Sequence, residues 1–561
     1  VLGHESDAKA ISLIAMAEAG LKAEFPPEVI REAEKMDVPA LDKRTDLRDL
    51  PLVTIDGPDA RDFDDAVHAE EDTDPANQGG FRLTVAIADV AYYVRHGTRL
   101  DKEAWTRGNS TYFPDRVVPM LPENLSNNLC SLMPKVERAC MAVHMRIDKH
   151  GQLLDYKFVR GLMKSVARLT YEQVQAAYDG QVDDTTDPLM DHVIRPLYKA
   201  YKILDAARIA RGALELDLPE RKILVDDEGN MTGVTTRQRL DSHKLIEEFM
   251  ILANVAAASA LEDKKAPCVY RIHDRPAADK LEGARDFLET FGFTLPVAVS
   301  EPKQINFLLV KAKDHPYSHL ISMMVLRTQA QARYDADNIG HFGLALHKYA
   351  HFTSPIRRYA DLIVHRSLIK AYSLGAGGLE EEDALRINET CEHISATERV
   401  SAEAERSSVD RFTASYLESQ IGAEFEGVIN GVTRFGLFVT LNETGADGLV
   451  PMRSLRNDYY THDEEQHALV GQRTKTVFRL GAPVTVRIAE AERISGSTVF
   501  EIVNPQKGAD IPGFTLKKTL KNNDKTSYKK GRGAGNFKKN TGKKQGQNAK
   551  KPFKNKGKRK K

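Results

Sequence analysis

The 561-residue chain is poor in cysteine and has no long apolar run. Its four cysteines are Cys130, Cys140, Cys268 and Cys391. They show no CxxC spacing, which argues against a disulfide framework and a thiolate metal site, and we expect them to be reduced and buried. No stretch approaches the roughly 18 consecutive apolar residues of a membrane-spanning helix, and no signal-peptide pattern opens the chain. We therefore expect a soluble, cytoplasmic protein with no membrane partner.

Acidic residues are scarce only at the C-terminus, although the whole chain has a net charge of zero. Residues 517–561 hold 19 of the 80 lysines and arginines but one of the 80 acids, which leaves 61 bases against 79 acids elsewhere. Such a segment cannot bury enough apolar surface to fold, so we expect it to be disordered. Basic disordered segments bind phosphate backbones, which makes RNA its expected partner. A segment that serves solubility or ribosome binding is the alternative.

The length predicts one large domain, at least one small domain and a tail. Helical patterns cover about residues 7–23, start again at Pro26 and Pro27, and recur in HKLIEEFMILANVAAASALE and YADLIVHRSLIKAY. In the run FRLTVAIADVAYYV, apolar and polar residues alternate as in one partly buried strand. The fold class is therefore α+β. The predicted divisions are a helical lead-in at 1–49, a mixed domain at 50–420, a barrel at 421–505 and a basic tail at 506–561.

The predicted barrel shows short alternating strands separated by Gly and Asn turns. Its pattern resembles the RNA-binding OB fold first described in a large ribosomal protein. The residues that carry this resemblance are Val428, Phe435, Gly436, Phe438, Val439, Gly448, Leu449 and Val450. We expect Phe435 and Phe438 to contact RNA.

The segment LPLVTIDGPDARDFDDAVHAE contains a dense group of acids. Asp56, Asp62, Asp64 and Asp65 fall within ten positions around a Gly-Pro turn. Carboxylates this close repel one another unless a cation holds them. Oxygen ligands favour magnesium, or manganese, over zinc, and a magnesium ion beside a phosphate supports phosphodiester hydrolysis. An acidic surface turn or a calcium loop is the alternative.

A second informative segment is HKYAHFTSPIRRYADLIVHR. Its Thr-Ser-Pro sequence is expected to end one element, which places Arg357 and Arg358 near the N-terminus of the next helix, a position that favours an anion. A guanidinium there would neutralise charge on a reacting phosphate. The alternative is that both arginines pair with carboxylates such as Asp361. The three histidines of the segment are expected to be structural rather than zinc ligands.

The segment TIDGPDARDFDDAV resembles the signature of the RNB exoribonucleases (the RNase II/RNase R family), and the likeness extends through the barrel. It implies a magnesium-dependent, processive enzyme that hydrolyses RNA from the 3′ end into nucleoside 5′-monophosphates. Asp56 and Asp65 would be metal ligands and Asp62 would complete the cluster. The loss of Asp64 would abolish cleavage, and Arg357 matches the catalytic arginine.

The resemblance also implies RNA contacts. Tyr112 would hold the terminal nucleotide, with core packing as its alternative. One of the pair Glu247 and Glu248 would contact ribose, and Glu248 is the preferred member. Arg358 is expected to bind RNA. Many relatives carry an aromatic residue near Leu216, so stacking at the channel end is in doubt here.

The basic tail and the opening VLGHESD are similar to the RNase R branch of the family, whose members are associated with structured RNA. The cold-shock folds that usually precede the catalytic domain are not in the sequence, which suggests a fragment or a different way of loading RNA. An RNA-binding regulator that keeps the fold without cleavage is a second hypothesis, disfavoured by the complete aspartate set and Arg357. A phosphorolytic enzyme would need another fold and a phosphate site. We expect a monomer.

Overall fold

The structure is a computed structural model that describes residues 9–503 except 217, 219, 316, 456, 457 and 465. The predicted basic tail at 506–561 lies outside the described residues. Within the described part, the helices are α1 (Ala10–Glu18), α2 (Pro27–Ala33), α3 (Val90–Tyr93), α4 (Arg99–Arg107), α5 (Tyr171–Tyr178), α6 (Arg195–Arg211), α7 (Asp241–Asp263), α8 (Ala278–Glu289), α9 (Lys303–Ala312), α10 (Ser318–Thr328), α11 (Tyr359–Ala371), α12 (Glu381–Leu385) and α13 (Ile387–Glu418).

The strands fall into a large sheet, a closed barrel and several short ribbons. They are β1 (Thr45–Leu47), β2 (Val53–Asp56), β3 (Asp65–Glu71), β4 (Phe81–Ala88), β5 (Thr111–Tyr112), β6 (Val117–Val118), β7 (Glu137–Ile147), β8 (Leu153–Lys164), β9 (Ala167–Thr170), β10 (Glu220–Val225), β11 (Met231–Arg237), β12 (Tyr270–Ile272), β13 (Arg333–Asp335), β14 (Glu424–Thr433), β15 (Gly436–Leu441), β16 (Asp447–Pro451), β17 (Tyr460–Asp463), β18 (Ala468–Gly471), β19 (Val477–Arg479), β20 (Pro483–Glu492) and β21 (Ser497–Ile502).

The large sheet has the strand order β1-β8-β7-β4-β3-β2-β9. Strands β2 and β9 run parallel, whereas β2 and β3 are antiparallel neighbours. Strand β4 lies at the centre, and all of its side chains except that of Arg82 are buried, because both faces of the sheet are covered. Helices α6 and α7 pack against this sheet and form part of the main hydrophobic core.

The run predicted as one strand from Phe81 to Val94 divides into two elements, so that prediction is wrong beyond Ala88. Strand β4 ends there and the chain turns into the short helix α3 at Val90. The residue between them, Asp89, is fully buried. Its Oδ2 atom lies 2.9 Å from Arg160 Nε and 2.9 Å from Arg44 Nη2. This buried ion pair anchors the chain at the point where the strand ends.

The other helices predicted from the sequence are present. Helices α7 and α11 occupy the two predicted long segments, and Pro27 is the first residue of α2, where its missing N–H costs nothing. The first predicted helix is shorter than expected, since α1 covers Ala10–Glu18. The four cysteines are free and buried, as predicted. None of the described helices combines the length and the apolar character needed to cross a membrane.

The predicted barrel is a closed five-stranded barrel with the order β14-β15-β16-β21-β20, which confirms the OB fold. Its core is formed by Leu417, Ile429, Leu437, Val439, Leu441, Val450, Val486, Ile488 and Phe500, among others. Gly436 is needed where β15 begins, because a Cβ there would lie 2.3 Å from the Val450 carbonyl oxygen. A three-stranded sheet, β17-β18-β19, is inserted between barrel strands, and the sequence did not predict it.

Candidate active site

The loop between β2 and β3 carries the predicted aspartates. Asp56 is the last residue of β2 and Asp65 the first of β3, so the hairpin brings both to the same edge of the sheet. Ser131 fixes the loop, since its Oγ accepts the Phe63 N–H at 3.0 Å and donates to the Arg61 carbonyl at 2.8 Å. A backbone bond from Ala88 to the Asp64 carbonyl, at 2.9 Å, ties the loop to β4. Asp62 and Asp64 are therefore held by a rigid frame.

Asp64 is the most enclosed of the four aspartates, with 4% of its surface exposed. Its Oδ1 accepts the Ile356 N–H at 3.0 Å, while Oδ2 is buried without a hydrogen-bond partner. Burial raises the pKa of Asp64 well above its ordinary value, against the opposing effect of the Arg357 charge. Burial thus destabilises the ionised form of Asp64, and a nearby cation would stabilise it.

The neighbouring carboxylates repel one another. Burial, followed by repulsion from Asp65 and Asp62, raises the pKa of Asp56, and burial also raises the pKa of Asp65. The Oδ2 atom of Asp56 is buried and has no hydrogen-bond partner. Buried polar atoms are rarely left unsatisfied, so this edge is suited to a ligand that carries positive charge.

In the described residues, no three His, Cys, Asp or Glu side chains are already arranged to hold a metal ion. The donor set nevertheless fits magnesium or manganese, because it offers unpaired carboxylate oxygens and no nitrogen or sulfur ligand. The assignment of Asp56, Asp62 and Asp65 as metal ligands stays a prediction.

The two arginines before α11 have different surroundings. Arg357 Nε lies 3.7 Å from Asp64 Oδ2, its Nη2 donates to Ser354 Oγ at 3.0 Å, and 43% of its side chain is exposed. Arg358 instead donates from Nε and Nη2 to both oxygens of Asp361, each at 2.8 Å. Arg358 therefore forms the pair with Asp361 that the structural alternative expects, whereas the carboxylate beside Arg357 is that of Asp64 in the aspartate loop. An RNA contact by Arg358 stays a prediction.

Two of the three histidines of this segment have structural partners. His351 Nδ1 lies 2.9 Å from Tyr334 Oη, and His365 Nε2 lies 2.7 Å from the Phe352 carbonyl oxygen. Both side chains are enclosed, and burial lowers the pKa of each. These contacts agree with the structural roles expected from the sequence.

Tyr112 lies at the aspartate loop and not in the core, so the core-packing alternative is wrong. The residue is 41% exposed, and its Oη is 3.4 Å from Asp62 Oδ2. Its backbone N–H donates to Glu405 of helix α13 at 2.7 Å. Burial of the hydroxyl, with the nearby Asp62 charge, raises the pKa of Tyr112. The ring is thus placed beside the cluster with part of its surface open.

Glu248 is the inward member of the Glu247–Glu248 pair, as expected. It is 3% exposed and accepts from Arg208 Nη1 at 2.8 Å and from Arg211 Nη2 at 3.4 Å. Its described partners are these arginines of α6 and not the aspartates. A contact with ribose stays a prediction, and it would compete with two ion pairs.

The barrel presents the two predicted aromatics together. The rings of Phe435 and Phe438 are 6.0 Å apart and perpendicular, and Phe435 is 60% exposed. An exposed ring at a strand end can stack on a base. Leu216 is half-buried against the cluster formed by α8, α9 and α10.

Three residues that the sequence did not indicate hold the loop and the tyrosine from distant parts of the chain: Ser131, Glu405 and Arg168. Arg168, on β9, donates from Nη2 to the carbonyls of Gly57 and Pro58 at 2.9 and 2.8 Å. All three are common polar residues outside the recognised segments, and only the strand pairing and helix packing bring them to the site.

Comparison of the chain with known protein families gives two matches. The RNB domain matches residues 44–373, and the S1 RNA binding domain matches residues 418–502. Since the first match covers more than half of the sequence, the chain belongs to the RNB family. The predicted domain limits of 420 and 421 fall close to the end of α13 at Glu418.

Within this family, the chain is similar to ribonuclease R. It is 42% identical to Ribonuclease R of Escherichia coli (strain K12) over 520 residues, which are 90% of this chain and 62% of that protein. The chain thus spans less than two thirds of that relative. It also resembles the solved structure of Mycoplasma genitalium RNase R in complex with ribose methylated single-stranded RNA, with a TM-score of 0.85, 28% identity and coverage of 90% and 79% of the two chains. The complex of the same enzyme with double-stranded RNA gives a TM-score of 0.79 at 27% identity, with coverage of 90% and 84%.

Proposed function

We propose that the protein is a metal-dependent exoribonuclease that degrades RNA processively in the 3′-to-5′ direction and releases nucleoside 5′-monophosphates by hydrolysis. The observation that carries this proposal is the position of Asp64, buried at the aspartate loop, bonded to the Ile356 N–H and 3.7 Å from the half-exposed Arg357. A carboxylate cluster that can bind a metal ion, with an available guanidinium beside it, can stabilise the charge that develops in phosphoryl transfer.

Each residue of the site has a distinct proposed role. Asp56, Asp62 and Asp65 would hold magnesium, with manganese as the second candidate. When bound, the ion supplies charge that polarises the phosphate and orients a water. Arg357 neutralises the charge that develops on the phosphoryl oxygens, because its exposed guanidinium is anchored by Ser354 and does not end in a bidentate pair. Asp64 holds that guanidinium in place and contributes its own carboxylate to the reaction.

The proposed RNA contacts lie around this centre and on the barrel. Tyr112 holds the terminal nucleotide through its open ring, and Glu248 contacts ribose after its pairing with Arg208 rearranges. Arg358 binds the RNA backbone near the metal site while it remains bonded to Asp361. Phe435 and Phe438 offer a stacking surface on the OB fold before the strand enters the site.

The proposed substrates are single-stranded and structured RNA, in the turnover and quality control of cytoplasmic RNA. The complexes of Mycoplasma genitalium RNase R with single-stranded and double-stranded RNA support both classes. The basic tail would add contacts to RNA and to ribosomes through its charge. We propose that the protein acts as a monomer.

The proposal is tested by incubating the purified chain with a 5′-labelled RNA and magnesium, with and without EDTA. The expected result is a ladder that shortens from the 3′ end, with nucleoside 5′-monophosphates as the released product, and complete arrest by EDTA. Release of nucleoside diphosphates in the presence of phosphate would indicate phosphorolysis. RNA that is bound but stays intact with fresh metal would support the non-cleaving RNA-binding regulator instead.

A further inference from the structure

Arg168 is a candidate positioning residue beneath the aspartate loop. It lies on β9, which pairs in parallel with β2, and its register partner is Thr54. Because side chains alternate along a strand, Thr54 and Asp56 share one face of β2, and Arg168 is on that same face. The sheet therefore places a cation directly next to the strand that ends in Asp56.

The Arg168 side chain holds the first turn of the loop. Its Nη2 donates to the carbonyls of both Gly57 and Pro58. The centre of its guanidinium lies 5.6 Å from the centroid of the buried Phe63 ring, on the far side of the same loop. One side chain thus links the start of the loop, through Phe63, to the part that precedes Asp64.

Three polar atoms of this layer are buried without a hydrogen-bond partner: Thr54 Oγ1, Asp56 Oδ2 and Arg168 Nε. Thr54 is fully buried. A group of unsatisfied donors and acceptors on one face of two strands is costly, and a polar or ionic ligand would satisfy it. A hydrated divalent ion is such a ligand, because it keeps several waters when it binds to carboxylates.

We propose that Arg168 is the positioning residue that shapes the aspartate loop for the divalent ion, through its bonds to Gly57 and Pro58 and its charge beside Asp56. This inference rests on the proposed function. The charge of Arg168 opposes the rise in the pKa of Asp56 that burial and the neighbouring carboxylates cause. The planar guanidinium also reaches two carbonyls and a ring at once, which a lysine ammonium on a flexible stem does not reproduce.

The test compares Arg168→Lys, which keeps the charge, and Arg168→Met, which removes it, with Arg61→Met as the matched control. Arg61 is an exposed arginine of the same loop, and its described contact is made by its backbone carbonyl. Two properties are measured: hydrogen exchange of residues 57–65 in the metal-free protein, and the affinity for manganese by calorimetry without RNA.

We expect both Arg168 variants to exchange faster in the loop and to bind manganese at least about tenfold more weakly, while Arg61→Met matches the wild type. At saturating metal, the Arg168→Lys variant should cleave RNA at close to the wild-type rate, because Arg168 acts on the metal site only through the loop. Wild-type loop protection and metal affinity in Arg168→Lys would overturn the inference, as would tighter metal binding by Arg168→Met, which would mean that its charge only repels the ion.

The two claims fail in different ways. If the wild-type protein binds no divalent ion and cleaves no RNA, the proposed function is wrong, whatever the Arg168 variants do. The exchange measurement then still decides whether Arg168 holds the loop. Arg168→Lys guards against a folding defect, since a lysine at this half-buried strand position retains the charge, and far-ultraviolet circular dichroism identifies a variant that has not folded.

Discussion

Arg357 and Arg358 are adjacent in the sequence, and their different contacts could not be predicted from it. Both precede a helix and both had Asp361 as a candidate partner. In the folded chain, Arg358 forms a bidentate bond to the buried Asp361, whereas Arg357 lies near Asp64 and stays half-exposed. The family resemblance selected Arg357 as the catalytic arginine, which stays a prediction, and the structure places its side chain beside Asp64.

Arg357→Lys should reduce the single-turnover rate of RNA cleavage by about 10² to 10³, with little change in RNA affinity, because it removes transition-state contacts more than ground-state binding. Rapid-quench kinetics and a binding titration with the same RNA measure the two quantities. Arg61→Lys, an identical exchange in the neighbouring loop, serves as the control. A wild-type rate for Arg357→Lys would remove this residue from the chemistry.

Tyr112 is exposed beside Asp62, and its ring is open to a terminal base. Tyr112→Ala should lengthen the shortest product and weaken the binding of short oligonucleotides by about tenfold, since stacking on an aromatic ring contributes about 1–3 kcal/mol per base. Tyr112→Phe keeps the ring and should resemble the wild type. Product lengths are read by mass spectrometry, and an unchanged end product in Tyr112→Ala would contradict this role.

At the scale of elements, the sequence predicted the long helices and the barrel because their periodic patterns agree with their burial. The prediction from sequence was wrong where a buried charged residue ends a strand. The run from Phe81 to Val94 is apolar enough to continue as a strand, and Asp89 looks like an ordinary break in alternation. Its ion pairs with Arg160 and Arg44, 71 and 45 positions away along the chain, are visible only after folding.

Asp89→Asn should destabilise the protein by about 3–5 kcal/mol at pH 7, because it leaves two arginines without their buried counter-charge. Although burial opposes it, Arg160 and Arg44 hold the pKa of Asp89 below its ordinary value. The stabilisation is therefore present above the unfolded-state pKa of about 3.9 and is lost as the pH falls below it.

Thermal unfolding of the wild type and the variant at several pH values tests this point. The difference in melting temperature should be full at pH 7 and pH 5 and shrink below about pH 4. Asp155→Asn, which breaks an exposed pair with Arg146, is the control and should change little. A difference between the wild type and Asp89→Asn that grows in acid would contradict the assignment.

At the scale of the whole molecule, composition and motif order indicated a mixed domain followed by a barrel and a basic tail. The inserted sheet β17-β18-β19 escaped prediction, because its strands are only three or four residues long and show too little alternation to be told apart from loops in sequence. Helix α13 also joins the two domains more closely than their sequence limits suggest. It contacts β5 at Tyr112 and, further along, barrel strands β20 and β21.

Deletion of residues 517–561 should weaken RNA binding and flatten its dependence on salt, because 19 bases would no longer release counterions from the phosphate backbone. Affinity is measured at several salt concentrations for one RNA. A tail with the same composition in shuffled order should restore the wild-type slope. An unchanged slope after deletion would show that the tail does not bind the RNA.

The central claim is that the buried carboxylate at Asp64 is required for cleavage and not for RNA binding. The most direct measurement compares Asp64→Asn with Asp59→Asn, an exposed aspartate of the same loop that pairs with Lys222. Single-turnover cleavage and RNA affinity are measured for both in magnesium. We expect Asp64→Asn to bind RNA nearly as the wild type does and to release no nucleotide, while Asp59→Asn keeps both properties. Nucleotide release by Asp64→Asn at a rate near that of Asp59→Asn would show that the Asp64 carboxylate is not required for cleavage.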